Sequence, residues 1–263
     1  MGSGYRFYAG LKGSKVLHVG SDASIYEYQT INAAVDAAQA NDTIVLAPGT
    51  HTLVEKVTIS KPIRMIGEGH PTVTCSSAVT GDMFAIELAA QSAACECYFE
   101  NIKFQQGVDN TDVFDVNNTS VAQTFSVKFK DCDIMVLDAA STGNAIDFNH
   151  ATAAKIMHLS IVGSRANQVD CVDIVPGNAS DTYIFDGIYM TENGNASAII
   201  TSAADKACII RLHSVNFKTA TKGVTGGHAS QTIVAYNCVT ESTGAALVTG
   251  DLAGSQTETV ISP

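Results

Sequence analysis

The sequence predicts an all-β chain: a solenoid of short parallel strands, opened by one short α-helix. Three observations carry this. With Φ for an apolar residue, the pattern Φ-x-x-Φ-x-Φ occurs at Phe99, Ile102 and Phe104, then at Phe129, Cys132 and Ile134. It recurs at Ile156, Leu159 and Ile161, at Phe185, Ile188 and Met190, at Leu212, Val215 and Phe217, and fades at Ala235, Cys238 and Thr240. The middle members stand 30, 27, 29, 27 and 23 residues apart. A second series lies between them: Phe84-Ala85-Ile86, Phe114-Asp115-Val116, Ile146-Asp147-Phe148, Val172-Asp173-Ile174 and Ile199-Ile200-Thr201, with Ala246-Leu247-Val248 as its last member. Its first spacings are 30, 32, 26 and 27. Two series of one period, out of phase, place a strand on each of several faces in every turn, which is the mark of a stacked repeat. Thirdly, helical periodicity stops near residue 40, and the crossovers are too short for strand–helix–strand units. Roughly six or seven coils are expected from these spacings.

The opening element is Tyr28–Gly69. Thr30 is a good N-cap, since its side chain can accept from a first-turn amide. Ile31, Ala34, Val35 and Ala38 fall at i, i+3, i+4 and i+7, one apolar stripe on a helix over 31–40. Asn41-Asp42 stops the helix. Thr43-Ile44-Val45-Leu46 reads as a strand, Pro48-Gly49 as a turn, and Val57-Thr58-Ile59 and Ile63-Arg64-Met65-Ile66 as two more strands split by Lys61-Pro62. A helix there would plug the open end of the core. Between strands, the predicted corners are Glu100-Asn101, Lys130-Asp131, Met157-His158, Asp186-Gly187, His213-Ser214 and Tyr236-Asn237. Asn, Asp, Gly or Ser at the second place suits a tight corner, with His158 the exception.

The chain divides into an N-terminal arm (1–27), the solenoid (28–248) and a polar tail (249–263). Tyr5, Phe7, Tyr8 and Tyr26 crowd the arm, where they either dock on the chain's own first coils or grip a partner. The balance of 15 Lys+Arg against 26 Asp+Glu gives a charge of −11, which argues against a nucleic-acid or anionic-membrane surface. Met1–Leu17 lacks the apolar core of a secretory leader. Seven cysteines is an odd count. Cys132, Cys171, Cys208 and Cys238 fall at interior positions and read as reduced, small hydrophobes, which suits a reducing cytoplasm.

Residues 28–69 resemble the opening of the pectin-lyase-like, right-handed parallel β-helix superfamily. In many members a helix of the type T-I-x-x-A-V-x-x-A precedes D-T-I-x-x-x-P-G-x-Y. The matching residues are Thr30-Ile31, Ala34-Val35, Ala38, Asp42-Thr43-Ile44 and Pro48-Gly49, with His51 where Tyr is usual. The resemblance implies a single-stranded right-handed parallel β-helix with an N-terminal capping helix. It implies no single activity, because this scaffold carries lyases, hydrolases, esterases and non-enzymatic virus proteins.

The candidate ligand-binding residues are Asp115, Asp147 and Asp173. They share one register between inward apolar residues, so they form an outward ladder. Such a column could bind a cation, or supply acid and base to a glycosidic bond. The plainer reading is carboxylates splayed on a solvated face. The family's enzymatic motifs are largely missing. Asn110-Thr111-Asp112 matches the N-T-D of polygalacturonase-like members and otherwise reads as a turn. No Asp-Asp pair occurs, Gly227-His228-Ala229 departs from G-H-G, and no R-I-K follows. The G-x-Y-x-E and L-G-R-P-W of pectin-methylesterase-like members are absent, and there is no Trp. No catalytic residue and no cofactor is assigned. The expectation is a non-enzymatic structural protein of a tailed-phage virion, of capsid-decoration, head-fibre or tail-spike type. It would assemble in the host cytoplasm and, by resemblance, form a homotrimer bound to other virion proteins. The alternatives are a polysaccharide lyase or hydrolase, or a glycan-binding module.

Overall fold

Neighbouring rungs in this chain bond backbone to backbone, so every strand needs a partner one turn away. A computed structural model describes residues 14–79, 81–88, 95–107, 112–117, 125–137, 143–149, 157–162, 165–167, 172–175, 181–191, 197–201, 208–218, 222–225, 232–240, 246–249 and 257–261. The chain passes repeatedly from a first sheet to a second, to a third, and back to the first. Among the described residues these sheets hold ten, eight and eight strands. Every named strand pair is parallel; in the first sheet, for example, Val127 pairs with Cys97 on one side and Leu159 on the other. The β-solenoid is therefore present, with more rungs than the six or seven expected. The repeat misses the first rungs because they are short: Thr43 pairs with Arg64, only 21 residues on.

One end is closed by the helix Ile31–Ala37. The Thr30 side chain accepts from the Ala33 amide at 3.2 Å, the expected cap. Ile31, Ala34, Val35 and Ala38 are all buried. The helix is shorter than 31–40, because Ala38 is already extended (ψ 145°). Its open carbonyls are taken by Lys61 Nζ, which donates to Ala38 O at 2.6 Å and Asp36 O at 3.2 Å. A cation at a helix C-terminus is favourable in both charge and hydrogen bonding.

The corners follow the residue chemistry closely. Asn101 (φ 57°), Asp131 (52°), Gly187 (60°), Ser214 (52°) and Asn237 (52°) all sit in the left-handed region. That conformation costs most L-residues about 1–2 kcal/mol, and short polar side chains or glycine lower it. The corner amides then bond to the next rung: Asn101 N donates to Lys130 O at 3.0 Å, and Ser214 N to Tyr236 O at 3.0 Å.

His158 is the correction. It lies inside the strand Met157–Val162, with Leu159 opposite Val127 and Ile161 opposite Phe129. The Ile156, Leu159 and Ile161 match is thus out of register. A strand that alternates apolar residues satisfies the same pattern at more than one offset, and only pairing selects one. A similar slip affects the end of the second series. Lys222–Thr225 is an intervening strand, Val224 pairs with Ile199, and Val248 with Val224. The arm and tail boundaries also shift. Val16–Val19 pairs with Thr43–Leu46, and Thr257–Ile261 pairs with Thr232–Tyr236, so parts of both terminal segments belong to the first sheet.

Inside, in-register stacking places like on like. Phe99 stacks on Phe129 at 5.0 Å between centroids and 14° between planes, and Phe84 on Phe114 at 5.0 Å and 19°. Phe104 meets Phe84 edge-on at 5.4 Å, tying the columns together. Such pairs add about 0.5–1.5 kcal/mol each beyond burial. Cys132 and Cys208 are buried as expected, Cys238 is half-buried against the core, and Cys171 lies outside the described residues. Burial pushes the Cys97 and Cys132 thiols up to about 12, so they act as apolar packing groups.

Outside, Lys128 pairs with Glu96 and Lys130 with half-buried Glu100, both at 2.7 Å across rungs, the side chains of the first pair exposed at both ends. Exposed pairs contribute about 0–1 kcal/mol. Truncating Phe129 to Ala should therefore cost about 3–5 kcal/mol, and Lys128→Ala under about 1 kcal/mol. Urea unfolding of the two variants checks this; equal losses would show that the aromatic column is not what holds these rungs.

Candidate functional site: a carboxylate ladder on the third sheet

Parallel register forces equivalent residues of successive rungs into one column. Phe114, Ile146 and Val172 pair in turn, as do Val116, Phe148 and Ile174. These residues are buried. Strand alternation then turns the residue between them outward. Asp115 pairs with Asp147, and Asp147 with Asp173, so the predicted ladder exists. All three are half-buried. The outward column begins with exposed Thr58 and fully buried Ala85.

Two further aspartates join it. Asp82 and Asp112 each stand two residues before an inward Phe of the third sheet, Phe84 and Phe114. Asp82 Oδ1 accepts from the Asp112 amide at 3.2 Å, and Asp112 Oδ1 accepts from the Asn144 amide. Each carboxylate thus caps the next rung's backbone. Asp112, read from sequence as part of a turn whose Asn110 and Thr111 lie outside the described residues, also serves as a rung-to-rung tie. The signal was available: Asp82 and Asp112 are separated by the same 30 residues as Phe84 and Phe114.

The electrostatics follow from this crowding. Like charges about 5 Å apart repel by about 3 kcal/mol at an effective dielectric near 20. Burial pushes Asp147 up to about 7, and Asp112, Asp173, Asp115 and Asp82 add to the shift. Burial likewise raises Asp112 to about 6, opposed by its bond from Asn144. Asp115 is raised by burial and by Asp82, with Lys56 pulling the other way. Near neutral pH the ladder therefore holds protons that isolated aspartates would have lost. It can donate as well as accept hydrogen bonds. Among the described residues, no three acidic, histidine or cysteine side chains converge as a metal-binding group.

Of the aromatic candidates Tyr5, Phe7, Tyr8 and Tyr26, Tyr26 alone lies among the described residues. The Tyr26 ring lies against Gly20, where an added Cβ would meet it at 2.3 Å, so this tyrosine packs on its own chain. Tyr5, Phe7 and Tyr8 lie outside the described residues. A cleft of about 60 Å³ opens between the helix start and Leu53–Glu55. That is too small for a sugar ring, since ligand pockets run to about 300–1,000 Å³.

A carboxyl with a raised folded-state pKa favours folding at low pH and loses that advantage as pH rises through the folded value. Asp112 and Asp147 should thus make the chain more stable near pH 5 than near pH 8. Asp147→Asn should stabilise it at pH 8 by on the order of 1–2 kcal/mol, a figure reduced for the group's residual water contact. Denaturation midpoints at the two pH values test this; a variant with the parent's pH slope would mean the ladder is not coupled.

No family model matches this chain, and no curated protein matches it in sequence. Solved structures do. The pectin methylesterase from Aspergillus niger is similar with a TM-score of 0.51 and 16% identity, over 97% of this chain and 92% of that one. Pectate lyase Pel9A is similar with a TM-score of 0.54 and 14% identity, over 95% and 80%. A Geobacillus virus E2 structure, ORF18, has a TM-score of 0.34 and 13% identity over 88% and 56%, too distant to carry an argument. At these identities the likeness is one of fold: the chain shares the parallel β-helix architecture of these two structures.

Proposed function

We propose that this protein is a non-enzymatic structural subunit of a tailed-phage virion, a β-helix of capsid-decoration, head-fibre or tail-spike type. The observation that carries this reading is how the carboxylates of the third sheet are used. Asp82 and Asp112 are committed to capping the backbone of the next rung. The sequence lacks the G-x-Y-x-E and L-G-R-P-W of pectin-methylesterase-like enzymes. What the fold offers is a stiff, backbone-saturated body. The arm segment 1–13, with Tyr5, Phe7 and Tyr8, would attach it to other virion proteins, and copies of the chain would assemble as a homotrimer.

A polysaccharide-active reading is kept for one observation. A half-buried carboxyl near pH 7 beside other carboxylates is the environment of a general acid. Incubation with polygalacturonate and methyl-esterified pectin separates the two. The structural reading expects no new reducing ends and no unsaturated products. Turnover lost in Asp147→Asn would replace it with the enzymatic one.

For attachment, mass spectrometry of purified particles from a producing strain should find the chain at a fixed ratio to the capsid protein. Deleting residues 1–13 spares the first strand, Val16–Val19. The truncated protein should fold, remain soluble and be missing from particles. Incorporation at the parent's level would exclude the arm as the attachment.

A further inference from the structure

His70 stands at a corner of the stack with a left-handed backbone (φ 58°). Its two ring nitrogens reach two different rungs. Nδ1 meets Asn101 Oδ1 at 3.0 Å, 31 residues away, and Nε2 meets Asp133 Oδ2 at 3.3 Å, 63 residues away. The Asn101 amide is oriented by its own Nδ2, which donates to Gly67 O at 2.8 Å. Its oxygen, not its nitrogen, therefore faces the imidazole. Asp133 presents a carboxylate oxygen. Both partners are acceptors, so both ring nitrogens must donate. A neutral imidazole carries one N–H; only the imidazolium carries two.

We propose that His70 is a proton-operated latch that holds three successive rungs together at one corner. With the proton, it binds the rung of Asn101 and the rung of Asp133 at once. Without it, one nitrogen turns a lone pair toward an oxygen, and one of the two ties is lost. Only a proton moves, between imidazolium and solvent. The charged groups at this corner are Glu68 on the histidine's own loop, Lys103 and Asp133 on the second sheet, and Glu100, Lys130 and Asp131 on the first-sheet side. Lys130 is engaged by Glu100 at 2.7 Å, and Asp133 is the carboxylate in contact with the imidazole. The place matters mechanically. Gly67 passes so close to Asn101 O that an added Cβ would meet it at 2.3 Å, and Lys103 N donates to Pro71 O at 2.9 Å beside the histidine. The latch thus sits where an early, short rung must match the longer ones that follow.

The test uses the full-length chain and the Lys103 amide as reporter. Amide exchange, corrected for the intrinsic pH effect, is measured at pH 5.5 and pH 8, with the ring nitrogens followed by long-range ¹⁵N–¹H NMR. In the parent, acidification should raise Lys103 protection roughly tenfold, the scale of one hydrogen bond to a charged group. Both nitrogens should then report an N–H. In His70→Gln the local rise should vanish while the global acid stabilisation from the third-sheet aspartates remains. Should that variant fail to fold, Asp133→Asn provides the same reading, with the rise reduced. An undiminished rise in both variants, or a single N–H at pH 5.5, overturns the latch.

Discussion

Parallel, in-register stacking governs this molecule. Each rung supplies the hydrogen bonds its neighbours need, at a spacing of about 4.8 Å. The same rule copies every side-chain position into a column. Inside, a column of like residues is favourable: Phe99 on Phe129 and Phe84 on Phe114 lose water and gain ring contact together. Outside, the outcome depends on sign. On the first sheet opposite charges meet across neighbouring rungs: Glu100 stands in register with Lys130, and Glu96 reaches Lys128 diagonally. On the third sheet Asp sits on Asp on Asp. One geometric constraint thus produces both the core and the only strongly perturbed carboxylates among the described residues.

Such a stack is vulnerable where the repeat is interrupted. At the N-terminal end the helix covers the core and Lys61 covers the helix. At the corners, short polar residues accept a backbone that others resist, and their amides return to the ladder. The Asp82 and Asp112 carboxylates bridge from one rung to the next in the same way. These ties are local and repeated, so loss of one is borne by its neighbours more than by the whole chain.

The resemblance to solved structures is one of fold alone. The likeness to pectin-active enzymes extends over nearly the whole chain, yet at 14–16% identity it concerns the path of the backbone. An outward face can be rewritten without disturbing the inward columns, because alternate residues serve alternate faces. The third sheet shows such a face: a proton-holding ladder of aspartates standing over inward apolar columns.

Much of this was legible in the residues. Thr30 and the stripe Ile31, Ala34, Val35 and Ala38 specify the cap; Asn101, Asp131, Gly187, Ser214 and Asn237 mark corners; Asp115, Asp147 and Asp173 share one offset from their apolar neighbours. Each of these depends on chemistry within a few residues, or on a period long enough to count. Register near His158, the strand at Lys222–Thr225, and the place of Val16–Val19 and Thr257–Ile261 were decided only by pairing across rungs. Alternating apolar residues satisfy two registers equally well, and hydrogen bonds to a neighbour some 20–30 residues away choose between them. The same holds for His70 with Asn101 and Asp133: nothing local in the sequence joins them, and the coil brings them together.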